Sequence, residues 1–148
     1  MELDEVDKAI VRELQHDGRM SYADLGPKVG LSQAAARQRV NRLIDRGVMQ
    51  VVAVTDPGAL GFTHQAMLGI NTDGDARAVA STLEQHDEME YILLTAGRFD
   101  LLVEVVCRDA EHLLALVNDV VRPIDGVATV EVMSYLSLVK QVYDWGTR

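Results

Sequence analysis

The chain has 148 residues, 48% of them hydrophobic and 25% charged, which fits a folded chain of two small domains or one medium one. No apolar run approaches the length of a membrane span; the run at 101–103 is already broken by Glu104. The formal net charge of −9 argues against a general nucleic-acid binder, and the single cysteine, Cys107, can neither close an internal disulfide nor build a metal site alone.

The charge is unevenly spread. Residues 1–50 hold eight basic and eight acidic side chains, whereas residues 51–148 hold six and fifteen. Between Lys28 and Arg46, five cations (Lys28, Arg37, Arg39, Arg42 and Arg46) face one carboxylate, Asp45. A locally basic segment on an otherwise acidic chain can bind duplex DNA through one face while the rest repels phosphate. The start, MELDEVDK, is acidic and reads as the opening of a helix rather than a secretory signal, so a cytoplasmic location is expected.

Residues 3–16 read as a first helix, with Leu3, Val6, Ile10 and Leu14 as its apolar stripe and Asp4 as its cap. Asp17-Gly18 ends it. Ser21 can cap a second, short helix packed through Tyr22, Ala23, Leu25 and Val29. Pro27 falls inside that helix, where it removes a hydrogen bond, so a kink or a tightened turn is expected there. Gly30-Leu31 makes the next turn.

The sequence LSQAAARQRVNRLIDRG, residues 31–47, then reads as a third helix capped by Ser32 and stopped by Gly47. Ala36, Val40, Leu43 and Ile44 give it one apolar stripe. The other side carries Ala34, Gln38, Asn41 and Arg42, flanked by Arg37 and Arg39. Amide, guanidinium and small side chains suit base edges and phosphates. Helix, short helix, glycine turn, helix is the helix-turn-helix order. On this reading Arg37, Gln38, Asn41 and Arg42 face the major groove, and Ser32, Gln33 and Arg39 lie near phosphate.

Residues 48–55, VMQVVAVT, are rich in β-branched side chains and predict a strand, closed by Asp56-Pro57-Gly58. Domain bounds follow: a winged helix-turn-helix domain at 1–50, a linker strand and turn at 51–61, and a second domain at 62–148.

In the second domain Ala66, Leu68 and Ile70 alternate with Gln65, Met67 and Gly69 as a half-buried strand. Residues 75–86 predict a helix with Ala76, Val79, Ala80 and Leu83 inward. Strands follow at 89–95 and 100–107, joined by the turn Ala96-Gly97-Arg98-Phe99. Residues 109–121 predict a helix carrying Ala110, Leu113, Leu114, Val117 and Val120. A long strand is predicted at 127–139, with Ala128, Val130, Val132, Leu136 and Leu138 on its more apolar face. The order β-α-β-β-α-β is the ferredoxin-like split unit, so the fold class is α+β. Two helices would cover one sheet face. The other, with Met67, Met89, Tyr91 and Leu93 or their neighbours, is left partly apolar, and a homodimer through the sheets is expected.

Other chemistry finds little footing. His16, His64, His86 and His112 are scattered with no metal-ligand spacing, and no phosphate loop, CxxC or Ser-His-Asp order appears. No catalytic residue, metal site or cofactor is assigned. A regulatory subunit of an enzyme and an RNA-binding ferredoxin-like module stand as alternatives; the latter reads bases with sheet aromatics, and Tyr91 stands nearly alone on its strand.

Taken together, the segments LDEVDKAIVRELQHDGRMSYADL, LSQAAARQRVNRLIDRGVM, TAGRFDLLVEV and DGV followed by Val139-Lys140 resemble the leucine-responsive regulator/AsnC (feast/famine) family of bacterial and archaeal transcription factors. The resemblance implies a winged helix-turn-helix domain joined to a regulatory domain that dimerises, with dimers often assembling into tetramers or octamers. It implies double-stranded DNA as partner and a small effector, usually an amino acid, bound at interfaces between dimers. Gly97 and Asp100 would lie near that effector, with Thr95, Ala96, Arg98 and Phe99 as neighbours. An effector-independent regulator is the alternative. The chain departs from the family pattern at Val130 and Val132, where threonines are common, at Gln38, where a basic residue is common, and at Pro27.

Overall fold

The computed structural model describes residues 3–147, and two compact units divide the chain: Met1–Val54 with Val139–Arg148, and Thr55–Leu138. Met1, Glu2 and Arg148, which the expected domain bounds include, lie outside the described residues.

The first unit is built on three helices. α1 (Glu5–His16) starts at Asp4, whose carboxylate accepts the Asp7 backbone N–H at 2.7 Å. α2 (Tyr22–Lys28) starts at Ser21, whose hydroxyl caps Asp24 N–H and donates back to the Asp24 carboxylate at 2.6 Å. α3 (Gln33–Asp45) starts at Ser32, which caps Ala35 N–H. The expected caps all form, each satisfying a first-turn donor the helix leaves unpaired. Ile10, Leu25, Ala36, Val40 and Leu43 make the buried core, with Leu3, Val6 and Leu14 packed against it.

Pro27 does tighten the end of α2. Val29 N–H is shared between the Leu25 and Gly26 carbonyls, and Leu31 N–H reaches Gly26 O at 2.8 Å across Gly30 at φ 72°. That is a Schellman stop, which satisfies the carbonyls of Gly26 and Pro27 at the helix end. α3 ends the same way, with Val48 N–H on Leu43 O at 2.9 Å across Gly47.

Three expectations for this unit need correction. Ile44 is 39% exposed and sits off the buried stripe, and Ala23 is also exposed. Residues 48–55 form no strand: Val51, Val52 and Val54 are exposed, with no ladder partner among the described residues. The tail at 139–147, expected with the sheet domain, groups with the helices instead; Arg12 donates to Thr147 Oγ1 at 2.7 Å and Gln15 Nε2 to Tyr143 O at 3.5 Å.

The second unit is the expected β-α-β-β-α-β arrangement: β1 (His64–Thr72), α4 (Ala76–Leu83), β2 (Met89–Leu94), β3 (Leu101–Cys107), α5 (Ala110–Ala115) and β4 (Val127–Ser134). The sheet is antiparallel with order β2-β3-β1-β4. α4 is capped by Asp75 and α5 by Asp109. α5 runs on as a π-helical turn, Leu116–Val121, which completes the predicted 109–121 helix. Ala66, Leu68 and Ile70 of β1 and Leu101, Val103, Val105 and Cys107 of β3 are fully buried against Val79, Leu83, Leu113, Val117 and Val121 of the helices.

Two strand expectations shift. A register break between Met89 and Tyr91 turns Met89 to the helix-covered face, so the open face carries Tyr91 and Leu93 without it. β4 stops at Ser134, opposite Ala66; past the last link, Tyr135 N–H to Gln65 O, it forms no further ladder with β1. Leu136 and Leu138 are therefore exposed, at 99% and 61%, rather than part of a strand face. Val130 packs on the core, while Val132 is exposed.

Candidate functional site

The tight join between α2 and α3 depends on a residue whose role the sequence did not disclose. An ideal Cβ on Gly26 would stand 2.7 Å from Leu31 O, so only glycine lets the two helices approach this closely. With α2 seated there, α3 buries Ala36, Val40 and Leu43 and turns the opposite arc outward. Ser32, Gln33, Ala34, Arg37, Gln38 and Asn41 are all exposed and together line one open surface concavity. Six of the eight predicted DNA-contacting residues are thus brought together.

The other two, Arg39 and Arg42, face elsewhere. Arg39 Nη1 donates to Asp4 Oδ2 and, at 2.9 Å, to Asp7 Oδ1. Arg42 Nη2 donates to the two Asp7 oxygens at 3.0 and 3.2 Å. Arg42, expected at the groove, and Arg39, expected near phosphate, do not line that concavity, and α1 carboxylates pair with both guanidiniums. The Arg39 hydrogen bond, more than the Asp7 backbone N–H, holds the Asp4 carboxyl below its ordinary value of 3.8. Asp4 is exposed, with its side chain 52% accessible, so this pairing is worth little in stability and its contribution fades only as pH falls below that value. None of this pairing is visible from α3 alone, since the partners sit some thirty residues earlier on another helix.

The second candidate region is the turn between β2 and β3. Thr95 N–H bonds Asp100 O at 2.9 Å and its hydroxyl donates to Phe99 O at 2.6 Å, which closes the turn on itself. Ala96, Gly97 and Arg98 stand exposed at its tip, with Gly97 at φ 156°. Asp100 Oδ2 accepts from the Thr72 backbone N–H at 2.8 Å and from the Thr72 hydroxyl at 3.1 Å, tying the turn to the end of β1. Arg98 pairs with Glu131 on β4 at 2.6 Å and stacks on the Phe99 ring, 5.1 Å from its centroid. Hence the six residues expected near an effector form one turn. The Asp100 carboxylate already has a local partner.

The remaining chemistry is structural. Cys107 is buried, and its thiol is pushed up chiefly by that burial. Among the described residues no group of three or more His, Cys, Asp or Glu side chains could hold a metal ion, and no helix is long and apolar enough to cross a membrane.

The AsnC-type helix-turn-helix domain matches residues 3–44 and the Lrp/AsnC ligand binding domain matches residues 65–144. An uncharacterised HTH-type transcriptional regulator of Pyrococcus abyssi is 32% identical over 148 residues, covering 99% of this chain and 91% of that one. Among solved structures, the leucine response regulatory protein LrpA of Mycobacterium tuberculosis superposes with a TM-score of 0.85 at 30% identity, covering 94% of this chain and 96% of that one. The transcriptional regulator NMB0573 of Neisseria meningitidis, solved as a complex with L-Met, shares the fold with a TM-score of 0.83 at 23% identity over 95% of this chain and 94% of that one. With both halves matched in the order the fold presents them, the chain belongs to the Lrp/AsnC family of helix-turn-helix transcriptional regulators.

Proposed function

We propose that this regulator reads duplex DNA with the exposed arc of α3. Arg37, Gln38 and Asn41 meet base edges, Gln33 and Ala34 lie along the groove wall, and Ser32 sits beside a phosphate at the helix start. The observation that carries this reading is the sorting of α3: its apolar stripe is buried, while six polar or small side chains share one open concavity. Arginine and the two amides are the side chains that can make bidentate contacts to guanine and adenine. Residues 1–50 then serve DNA, 51–61 link, and the sheet-bearing part of 62–148 serves self-association and effector binding.

The open sheet face supports a homo-oligomer, since Tyr91 is 55% exposed there beside Met67 and Leu93. The match to a ligand binding domain supports a small effector at the turn formed by Thr95, Ala96, Gly97, Arg98, Phe99 and Asp100, and the L-Met complex of a structural neighbour makes an amino acid the class to try first. Such a ligand's ammonium group would have to share Asp100 with Thr72.

The test is selection of bound sequences from a random duplex library by the full chain, followed by footprinting. A dimer reading with two α3 helices predicts enriched sequences with half-sites about 10 base pairs apart or a multiple of that. Failure to enrich any sequence would overturn the reading.

A further inference from the structure

Four side chains of the helical unit close an ion-pair network between α1 and α3. Arg39 bridges Asp4 and Asp7, and Arg42 grips both oxygens of Asp7. Asp7 is the one buried charged residue among those described, at 6% exposure. Asp4 and Asp7 are three residues apart, as are Arg39 and Arg42, so each pair lies on one side of its helix. A slide of α3 along α1 by one turn would leave Asp7 buried without a cation, which the low-dielectric interior penalises heavily. The two carboxylates also neutralise two guanidiniums that would otherwise be ready for phosphate.

We infer that Asp7 is a positioning residue for DNA recognition: it fixes the axial register of α3 against α1 and withholds Arg39 and Arg42 from the DNA backbone, leaving Arg37 as the guanidinium on the reading arc. The inference rests on the proposed reading of DNA by α3. Its consequence is a separation of two properties. Arg37 adds salt-dependent attraction to its base contact, because its guanidinium enters the groove between the phosphates and displaces counterions. Arg42 and Asp7 contribute to discrimination between sequences, because they hold the arc in register with the bases.

The experiment measures binding of the full chain by fluorescence anisotropy, on a selected duplex and on a scrambled duplex, across a potassium chloride series. Arg37→Ala is expected to lower the log–log salt slope by about 0.9. Arg42→Gln and Asp7→Asn are expected to leave the slope undiminished while the preference for the selected duplex falls about tenfold, the size of one lost base contact. Asp7→Glu, which keeps the charge, should restore part of that preference. Should Asp7→Asn fail to fold by circular dichroism, Arg42→Gln carries the test. A slope lowered by about 0.9 in Arg42→Gln would overturn the inference, because Arg42 would then be touching phosphate. An unchanged preference in Arg42→Gln would overturn it as well, reducing the network to a structural tie. If the unaltered chain shows neither preference nor salt dependence, the DNA reading itself fails, and that outcome is distinct from the other two.

Discussion

The outer edge of the Phe99 ring fills the space that a side chain on Gly69 would take: Cζ, Cε1 and Cε2 lie 2.6, 2.7 and 2.7 Å from an ideal Cβ at that position. The turn after β2 is therefore seated directly on the open face of β1. Arg98, stacked on the ring and paired with Glu131, closes it from above; Glu131 is the residue opposite Gly69 in the ladder. Gly69→Ala is expected to destabilise the sheet unit by about 1–3 kcal/mol through overpacking. Urea titration followed by circular dichroism checks this, and the double variant with Phe99→Ala should recover part of the loss relative to Phe99→Ala alone.

Asp100 is a structural anchor as well as a candidate ligand contact. Asp100→Ala removes the acceptor for a part-buried Thr72 N–H and for the Thr72 hydroxyl. Leaving such a donor unsatisfied costs about 1–3 kcal/mol. The loss should appear in a denaturant titration with no ligand added. Wild-type stability in Asp100→Ala would contradict the anchoring role.

Tyr135 gives the sheet unit an alkaline limit. Burial first, and then the hydrogen bond its hydroxyl donates to Glu104 at 3.0 Å, push the phenol from 10.0 up to about 12. Below pH 10 the phenol is protonated in folded and unfolded chains alike, so the linked stability is fully present; it is lost as pH rises from 10 to about 12. Tyr135→Phe should flatten that decline. Titration of tyrosinate absorbance should show Glu104→Gln returning only the smaller part of the shift, since burial is the larger cause.

Much of this was legible in the residues because the signals are local. Asp4, Ser21, Ser32, Asp75 and Asp109 announce five helix starts through one hydrogen bond each, and the alternation of Ala66, Leu68 and Ile70 and of Leu101, Val103, Val105 and Cys107 announces two strands buried on one side. What misled were features settled by a distant partner. The β-branched run at 48–55 has strand composition, but strand preference is realised only against a neighbouring strand, and it has none among the described residues. The apolar alternation past Ser134 fails because the ladder with β1 stops there. Met89 changes face at a bulge that no periodicity marks. In the candidate site, the outward arc of α3 followed from its helical spacing. The diversion of Arg39 and Arg42 to Asp4 and Asp7 required the packing of α1. Gly26 needed the close approach of the Leu31 backbone, and its signal was the absence of a side chain in the middle of a short helix.

The central claim is that the outward arc of α3 is where this regulator meets DNA, and the most direct measurement compares two exposed arginines on the same selected duplex. Arg37 stands on that arc and Arg77 on α4 of the other unit. The account predicts that Arg37→Ala weakens binding by about 1–3 kcal/mol, the worth of one good base contact, while Arg77→Ala binds as the unaltered chain does. Equal affinity of Arg37→Ala and the unaltered chain, at every salt concentration, would contradict it.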